Sequence, residues 1–110
     1  MWEIPAGKAE LGEASVNTAI RELKEETGYS GENFEFLTKF YGTIGYNNEI
    51  IEIFKARATE KGDTDFDEHE AIELYEMELS QLLDMIDRGE IIDAKTIVGI
   101  LLIAREMDIK

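Results

Sequence analysis

Carboxylates at fixed spacing within residues 7–29 are the feature of this sequence best suited to chemistry. Glu22 and Glu26 are four residues apart, so on a helix they lie on one side, with Glu25 on the adjoining row and Arg21 within reach of Glu25. Mg²⁺ prefers a few carboxylate oxygens, its own waters and substrate phosphates. The pattern predicts a metal-bridged phosphate site, whereas a solvated acidic face is the more common role of a Glu-rich helix.

The segment that carries these carboxylates has the signals of a loop that runs into a helix. Apolar residues recur at helical spacing from Ala14 to Thr27, and Gly28 stands where a left-handed C-terminal cap is expected. Ahead of them, Gly7 and Gly12 allow the backbone to approach a ligand closely. We therefore expect an amphipathic helix over residues 14–27, with an N-terminus that favours anions.

Composition narrows the class of protein. A chain of 110 residues with 44% apolar content is expected to form a single domain over residues 1–110. The absence of cysteine excludes thiolate metal sites and, with no secretory signal, predicts a cytoplasmic protein. A net charge of −14 argues against a nucleic-acid partner. The longest apolar run, Ile97 to Ala104, is far shorter than the roughly 20 residues of a membrane span.

The rest of the chain alternates between strand and helix signals. Strands are predicted at Trp2–Pro5, Asn33–Tyr41, Glu49–Arg57 and Ala71–Met77, and helices at Leu79–Arg88 and from Asp93 through Ala104 or beyond. The loop over residues 42–48 is interpreted first as a plain hairpin connection and second as a substrate loop. His69, the only histidine, is interpreted as a bystander among acids.

Residues 7–29 resemble the Nudix box. The match consists of Gly7, five free positions, Glu13, seven free positions, Arg21-Glu22, Leu23, one free position, Glu25-Glu26, one free position and Gly28. Every fixed position agrees, and the one departure is Tyr29, where the family usually has an aliphatic residue. A motif of this length and order is specific.

The resemblance implies an α+β fold, the α/β/α sandwich of Nudix hydrolases. In that fold several strands precede the box, whereas only four residues precede Pro5 here. The chain is therefore expected to lack its N-terminal strands relative to the family. Either it is a fragment or has a misplaced start, or a partner subunit fills the missing sheet positions in a homodimer.

Further stretches look like the ADP-ribose pyrophosphatase branch of this family. They are residues 2–7, the run from residue 40 to residue 56, the acidic residues 67–70 and the tail over residues 89–96. The resemblance implies an enzyme that uses Mg²⁺, with Mn²⁺ as an alternative, to cleave ADP-ribose into AMP and ribose 5-phosphate. Another nucleotide sugar, a dinucleotide, or an inactive fragment or binding module are the alternatives. Gly42 and Ile44 stand where this branch typically has proline, which predicts looser selectivity.

Residue roles follow from the same resemblance, position by position. It implies metal ligation by the backbone carbonyl of Ala6 and by Glu22, Glu26 and Glu70, with Glu68 as the base that activates water, Glu25 and Arg21 assisting, and substrate contacts at Gly7, Tyr41, Gly45 and Glu49.

Overall fold

The computed structural model describes residues 1–42, 49–62 and 73–108. Within them the elements follow in the order α1 (Ser15–Thr27), β1 (Tyr29–Tyr41), β2 (Ile50–Lys61), α2 (Leu79–Asp87) and α3 (Ala94–Glu106). The predicted α+β class is confirmed by this mixture of helices and an antiparallel sheet.

Helix α1 agrees with its prediction to within one residue. Ala14 lies at the N-cap, and Gly28 ends the helix in the left-handed region with a φ of 78°. The Gly28 N–H donates to the Lys24 carbonyl at 2.9 Å, which satisfies one of the carbonyls that a helix end leaves open. The chain then enters β1 directly, so α1 packs against the strand that follows it.

Strands β1 and β2 form an antiparallel pair in which Tyr29 faces Lys61 and Tyr41 faces Ile50. β1 begins four residues before the predicted start at Asn33, and β2 continues four residues beyond Arg57. Three register shifts interrupt the pairing, and Asn33 has a φ of 55°. Because bulges of this kind break the alternation of side chains, the period-two pattern alone did not show the full length of either strand.

Helices α2 and α3 form the apolar part of the molecule. Met85, Ile91 and Ile100 make up its buried cluster. Asp93 caps α3 as predicted, since its carboxylate accepts from the Thr96 N–H at 3.2 Å. Helix α3 packs against more than one surface, because it contacts both α2 and β2. In the described part of the chain, none of the helices has the length and apolar character needed to cross a membrane.

Two predicted strands are wrong for the residues that the structure describes. Residues 2–5 form no strand, because the Ile4 N–H donates to the Thr96 side chain and Pro5 has no N–H to give to a sheet. Residues 73–77 of the predicted Ala71–Met77 strand are likewise not in a strand, and residues 71 and 72 lie outside the described residues. Alternation in sequence predicts a strand only where a neighbouring strand accepts its hydrogen bonds.

Candidate active site

The guanidinium of Arg21 joins three carboxylates on and ahead of α1. Its Nε and Nη2 donate to the two oxygens of Glu13, each at 3.0 Å, in a fork-to-fork pair. Its Nη1 donates to Glu22 at 2.7 Å and to Glu25 at 3.2 Å. Nη2 also reaches the Lys8 carbonyl at 3.0 Å, which fixes the loop before the helix. Arg21 therefore orients the acidic groups here.

The structure shows contacts of Glu13 at this site that the sequence analysis did not predict. Besides Arg21, its carboxylate accepts from the Thr18 hydroxyl at 2.8 Å and from the Glu10 N–H at 3.0 Å. These donors, Arg21 first, lower the pKa of Glu13 to about 2. The same pairing raises the pKa of Arg21. The fixed position of Glu13 in the motif was the only sign in the sequence that it has a role. No local pattern connects this loop residue to Arg21, which lies on the helix eight positions later.

Gly7 brings the loop backbone directly against Glu22. A Cβ built on Gly7 would lie 2.1 Å from Cδ of Glu22, so any side chain there would displace that carboxylate. Glycine at position 7 therefore allows the loop backbone to lie against the Glu22 side chain. The Glu22 side chain is 15% exposed, so it opens only narrowly to solvent.

Ala6 makes the matching contact with the second predicted ligand. Its N–H donates to Oε2 of Glu26 at 2.8 Å. The Ala6 carbonyl belongs to the peptide unit that joins Ala6 to Gly7, between the contacts to Glu26 and Glu22. The structure therefore brings the backbone of Ala6 and Gly7 against Glu26 and Glu22.

These donors suit a hard divalent cation, because carboxylate and carbonyl oxygens are the ligands that Mg²⁺ takes. Of the carboxylates predicted to bind the metal, Glu22 and Glu26 are among the residues that the structure describes. In the part of the chain that the structure describes, no three Asp, Glu, His or Cys side chains are grouped to hold a metal. Glu25 does not join such a group, since it pairs with Arg21 at the outer edge with 37% of its side chain exposed. Glu68 and Glu70 lie outside the described residues, as does His69.

The predicted substrate residues divide between two places. Gly7 is at the carboxylates, whereas Tyr41 and Glu49 are exposed at the end of the hairpin where β1 connects to β2. A hydrogen bond of 2.7 Å from the Ser15 hydroxyl to Glu52 places the start of α1 beside that end. Since a helix rises about 1.5 Å per residue, Glu22 lies roughly 10 Å farther along α1. Gly45 lies outside the described residues.

A cleft of 680 Å³ borders Glu26 and was not predicted from the sequence. Trp2 and Tyr75 line it, with their ring centroids 5.1 Å apart in an edge-to-face arrangement. The Tyr75 hydroxyl donates to Glu73 at 2.7 Å, and this hydrogen bond raises the pKa of Tyr75. The volume is in the range of small-molecule sites. Tyr75 carried no signal in the sequence, because only the fold brings it beside Trp2.

The chain that carries this site is similar to known proteins. Residues 1–98 match a family profile described as the NUDIX domain. The chain is 40% identical over 100 residues to the ADP-ribose pyrophosphatase of Bacillus subtilis, covering 89% of the chain and 54% of that relative. It is 41% identical, with the same coverage, to the methanol dehydrogenase activator of Bacillus methanolicus. The ADP-ribose pyrophosphatase of Mycobacterium tuberculosis is 27% identical over 92% of the chain and 50% of that relative. The chain thus spans about half the length of the curated relatives it matches.

Proposed function

This chain belongs to the Nudix family, and on that premise we propose that it carries the site of a Mg²⁺-dependent pyrophosphohydrolase. The substrate class is a nucleoside diphosphate linked to another moiety, with ADP-ribose first. Water adds across one P–O bond of the pyrophosphate, so that ADP-ribose gives AMP and ribose 5-phosphate. Two relatives named ADP-ribose pyrophosphatase support this choice of substrate.

The observation that carries the proposal is the backbone of Ala6 and Gly7 lying against Glu26 and Glu22. A loop held this close to two carboxylates offers three oxygen donors of the kind a hard cation takes. Arg21 also donates to Glu22, at 2.7 Å, so this carboxylate keeps one orientation when substrate arrives. Preorganisation of this kind lowers the cost of placing charge at the reacting phosphate.

The proposed roles of the individual residues follow this geometry. The Ala6 carbonyl, Glu22, Glu26 and Glu70 would hold Mg²⁺, or Mn²⁺ in its place, and Glu68 would accept the proton of the attacking water. The bound cation would polarise the phosphate oxygens and offset their negative charge. Glu25 and Arg21 keep the ligands in place, and the proposed substrate contacts are Gly7, Tyr41, Gly45 and Glu49.

A hydrolysis screen tests the proposal directly. We expect ADP-ribose to be cleaved in Mg²⁺ or Mn²⁺, with loss of activity in a chelator and a lower kcat/KM for GDP-mannose, a diadenosine polyphosphate and a nucleoside triphosphate. Glu68→Gln should cost about 10²- to 10⁴-fold in rate as the loss of a general base. Preference for the triphosphate would remove ADP-ribose, and near-native turnover of both Glu68→Gln and Glu70→Gln would overturn the assignment of the base.

We further propose that the protein acts as a single-domain cytoplasmic homodimer. Trp2 is 37% exposed and Leu101 of α3 is 47% exposed, and a second copy would cover such apolar surface. Light scattering should give twice the mass of the chain. A monodisperse monomer that melts cooperatively would contradict the dimer.

A second candidate function is modulation of a dehydrogenase. It is favoured by one specific observation, the 41% identity to a methanol dehydrogenase activator over the same share of the chain. The test adds the purified chain to a methanol dehydrogenase assay. An increase in dehydrogenase rate that is lost in Glu22→Gln would support this function and tie it to the same carboxylates.

A further inference from the structure

The segment formed by residues 3–6, which we name the bridge segment, connects α3 to the carboxylates of α1. At one end the Ile4 N–H donates to Oγ1 of Thr96 at 3.0 Å, in the first turn of α3. At the other end the Ala6 N–H donates to Glu26 at 2.8 Å. Between them Pro5 has a fixed φ and no N–H of its own. Movement at Thr96 is therefore transmitted to Ala6 through only two residues.

At the α3 end of the bridge segment, Thr96 is buried and held by several hydrogen bonds. Thr96 is 3% exposed, and its hydroxyl donates to Oδ2 of Asp93 at 2.7 Å while it accepts from Ile4. The same carboxylate accepts from the Thr96 N–H at 3.2 Å and from Lys95 at 3.0 Å. Since the hydroxyl proton goes to Asp93, the oxygen of Thr96 is left to accept the bridge segment.

Two more contacts fix the bridge segment on the same helix. Lys95 pairs with Glu3 at 3.1 Å, and this lysine also contacts Asp93. The side chain of Ile4 lies over Gly99, where a built Cβ would come within 3.6 Å of Cδ1 of Ile4. The bridge segment is thus held on α3 by a hydrogen bond, an ion pair and an apolar contact.

We propose that Asp93 and Thr96 are positioning residues for the candidate active site, acting through the bridge segment on Ala6 and Glu26. This deepens the proposed function and rests on it for the metal readout. Neither residue touches the carboxylates of α1. They hold Ala6 so that its N–H orients Glu26, the kind of outer support that sets metal affinity.

The test compares three variants at a temperature where all are fully folded. Thr96→Val keeps the shape of the side chain but removes the acceptor of the Ile4 N–H. Thr96→Ser keeps that acceptor and is the matched control. Ile91→Val removes one methylene from the buried cluster and controls for loss of stability alone.

Amide hydrogen exchange is the first readout and needs neither metal nor substrate. In Thr96→Val we expect the Ile4 and Ala6 amides to exchange about 3- to 10-fold faster, which is the value of one hydrogen bond. Thr96→Ser should restore native exchange at both amides. Exchange at Ala6 that is no faster in Thr96→Val than in Ile91→Val overturns the proposal.

Mn²⁺ affinity, measured by titration with the metal alone, is the second readout. We expect about tenfold weaker binding in Thr96→Val, with rescue in Thr96→Ser and no change in Ile91→Val. The Mg²⁺ needed for half-maximal hydrolysis should rise in parallel, while kcat at saturating Mg²⁺ stays near native. Native Mn²⁺ affinity in Thr96→Val overturns the proposal. A native chain that binds no Mn²⁺ instead contradicts the proposed function, and the exchange readout still decides whether Thr96 positions Ala6.

If Thr96→Val does not fold, Lys95→Met replaces it in both readouts. This variant removes the ion pairs of Lys95 with Glu3 and Asp93 and leaves the Thr96 hydroxyl in place. Because exposed ion pairs are worth little, the expected effect is about twofold faster exchange at Ala6. Unchanged Ala6 exchange together with unchanged Mn²⁺ affinity in Lys95→Met would overturn the proposal.

Discussion

The surroundings of Arg21 and the surroundings of Met85 are held together by different forces. Arg21 makes five hydrogen bonds, four of them to carboxylates, and its side chain is 25% exposed. Met85 lies among apolar residues and is 4% exposed, with Ile91 at 2% and Ile100 at 5%. The contacts in the first region depend on direction and are partly exposed to solvent. Those in the second region do not depend on direction and are buried.

The two regions therefore have different roles: the polar contacts fix the positions of side chains, and the apolar cluster stabilises the fold. Hydrogen bonds and ion pairs near water add little net stability but fix distances and angles. Burial of apolar surface stabilises the fold in proportion to area and sets no direction. We therefore expect substitutions around Arg21 to change chemistry more than stability, and those around Met85 to do the opposite.

The largest change in stability is expected from Met85→Ala. Loss of this buried side chain leaves a cavity and should lower the free energy of unfolding by about 2 to 5 kcal/mol. Mn²⁺ affinity of the folded fraction should stay native, because no carboxylate of α1 belongs to the Met85 cluster. Urea unfolding and metal titration measure the two quantities. Met85→Leu, which keeps the volume, should cost less than about 1.5 kcal/mol. Weaker Mn²⁺ binding in Met85→Ala would break the separation of the two regions.

The complementary change is Glu22→Gln, which keeps size but removes the charge of a proposed metal ligand. A cation contributes several kcal/mol at the transition state, so kcat/KM should fall about 10²- to 10³-fold. The free energy of unfolding should change little. Glu90→Gln, an exposed residue between α2 and α3, removes the same charge in the other region and should leave kcat/KM native. Equal losses in both variants would show that net charge, rather than the site, controls the rate.

A pair of glycine variants compares the two regions at equal strain. Gly28 and Gly89 follow α1 and α2 with φ values of 78° and 73°. Alanine at either position should cost about 1 to 2 kcal/mol, because a Cβ disfavours this backbone conformation. Only Gly28→Ala is expected to weaken Mn²⁺ binding, since Glu26 lies in the last turn of α1. Calorimetry and metal titration of both variants test this. Equal weakening in Gly89→Ala would contradict it.

The smallest expected effect is the pH dependence contributed by Glu13. Its pKa falls from 4.5 to about 2 on folding, chiefly through Arg21. The stabilisation is therefore complete above about pH 4.5 and is lost as pH falls through this window toward 2. The stability difference between the native chain and Glu13→Gln should be constant from pH 7 to pH 5 and shrink toward pH 2. Thr18→Val removes a lesser donor and should keep most of this dependence. A difference that persists unchanged at pH 2 to 3 would contradict the lowered pKa.

Local signals predicted the helices and the main members of the site. The periodicity of α1 with Gly28 at its end, and Asp93 at the start of α3, gave bounds close to those observed. Such signals depend on residues three or four apart, which the sequence displays directly. The grouping of Glu22 with Glu26 was predictable for the same reason. Glu68, Glu70 and Gly45 stay predictions, because they lie outside the described residues.

The features that the sequence did not predict depend on contacts between residues far apart in the chain. Residues 2–5 alternate like a strand, yet the Ile4 N–H goes to Thr96, 92 positions later. Trp2 meets Tyr75 only in the folded chain. The sequence by itself determined the helices and the carboxylate spacing, since these depend on local geometry, and its resemblance to a known family gave the α+β class. Tertiary structure alone decided that Arg21 binds Glu13 and that Ala6 donates to Glu26, because a hydrogen bond across a loop depends on where packing places both partners.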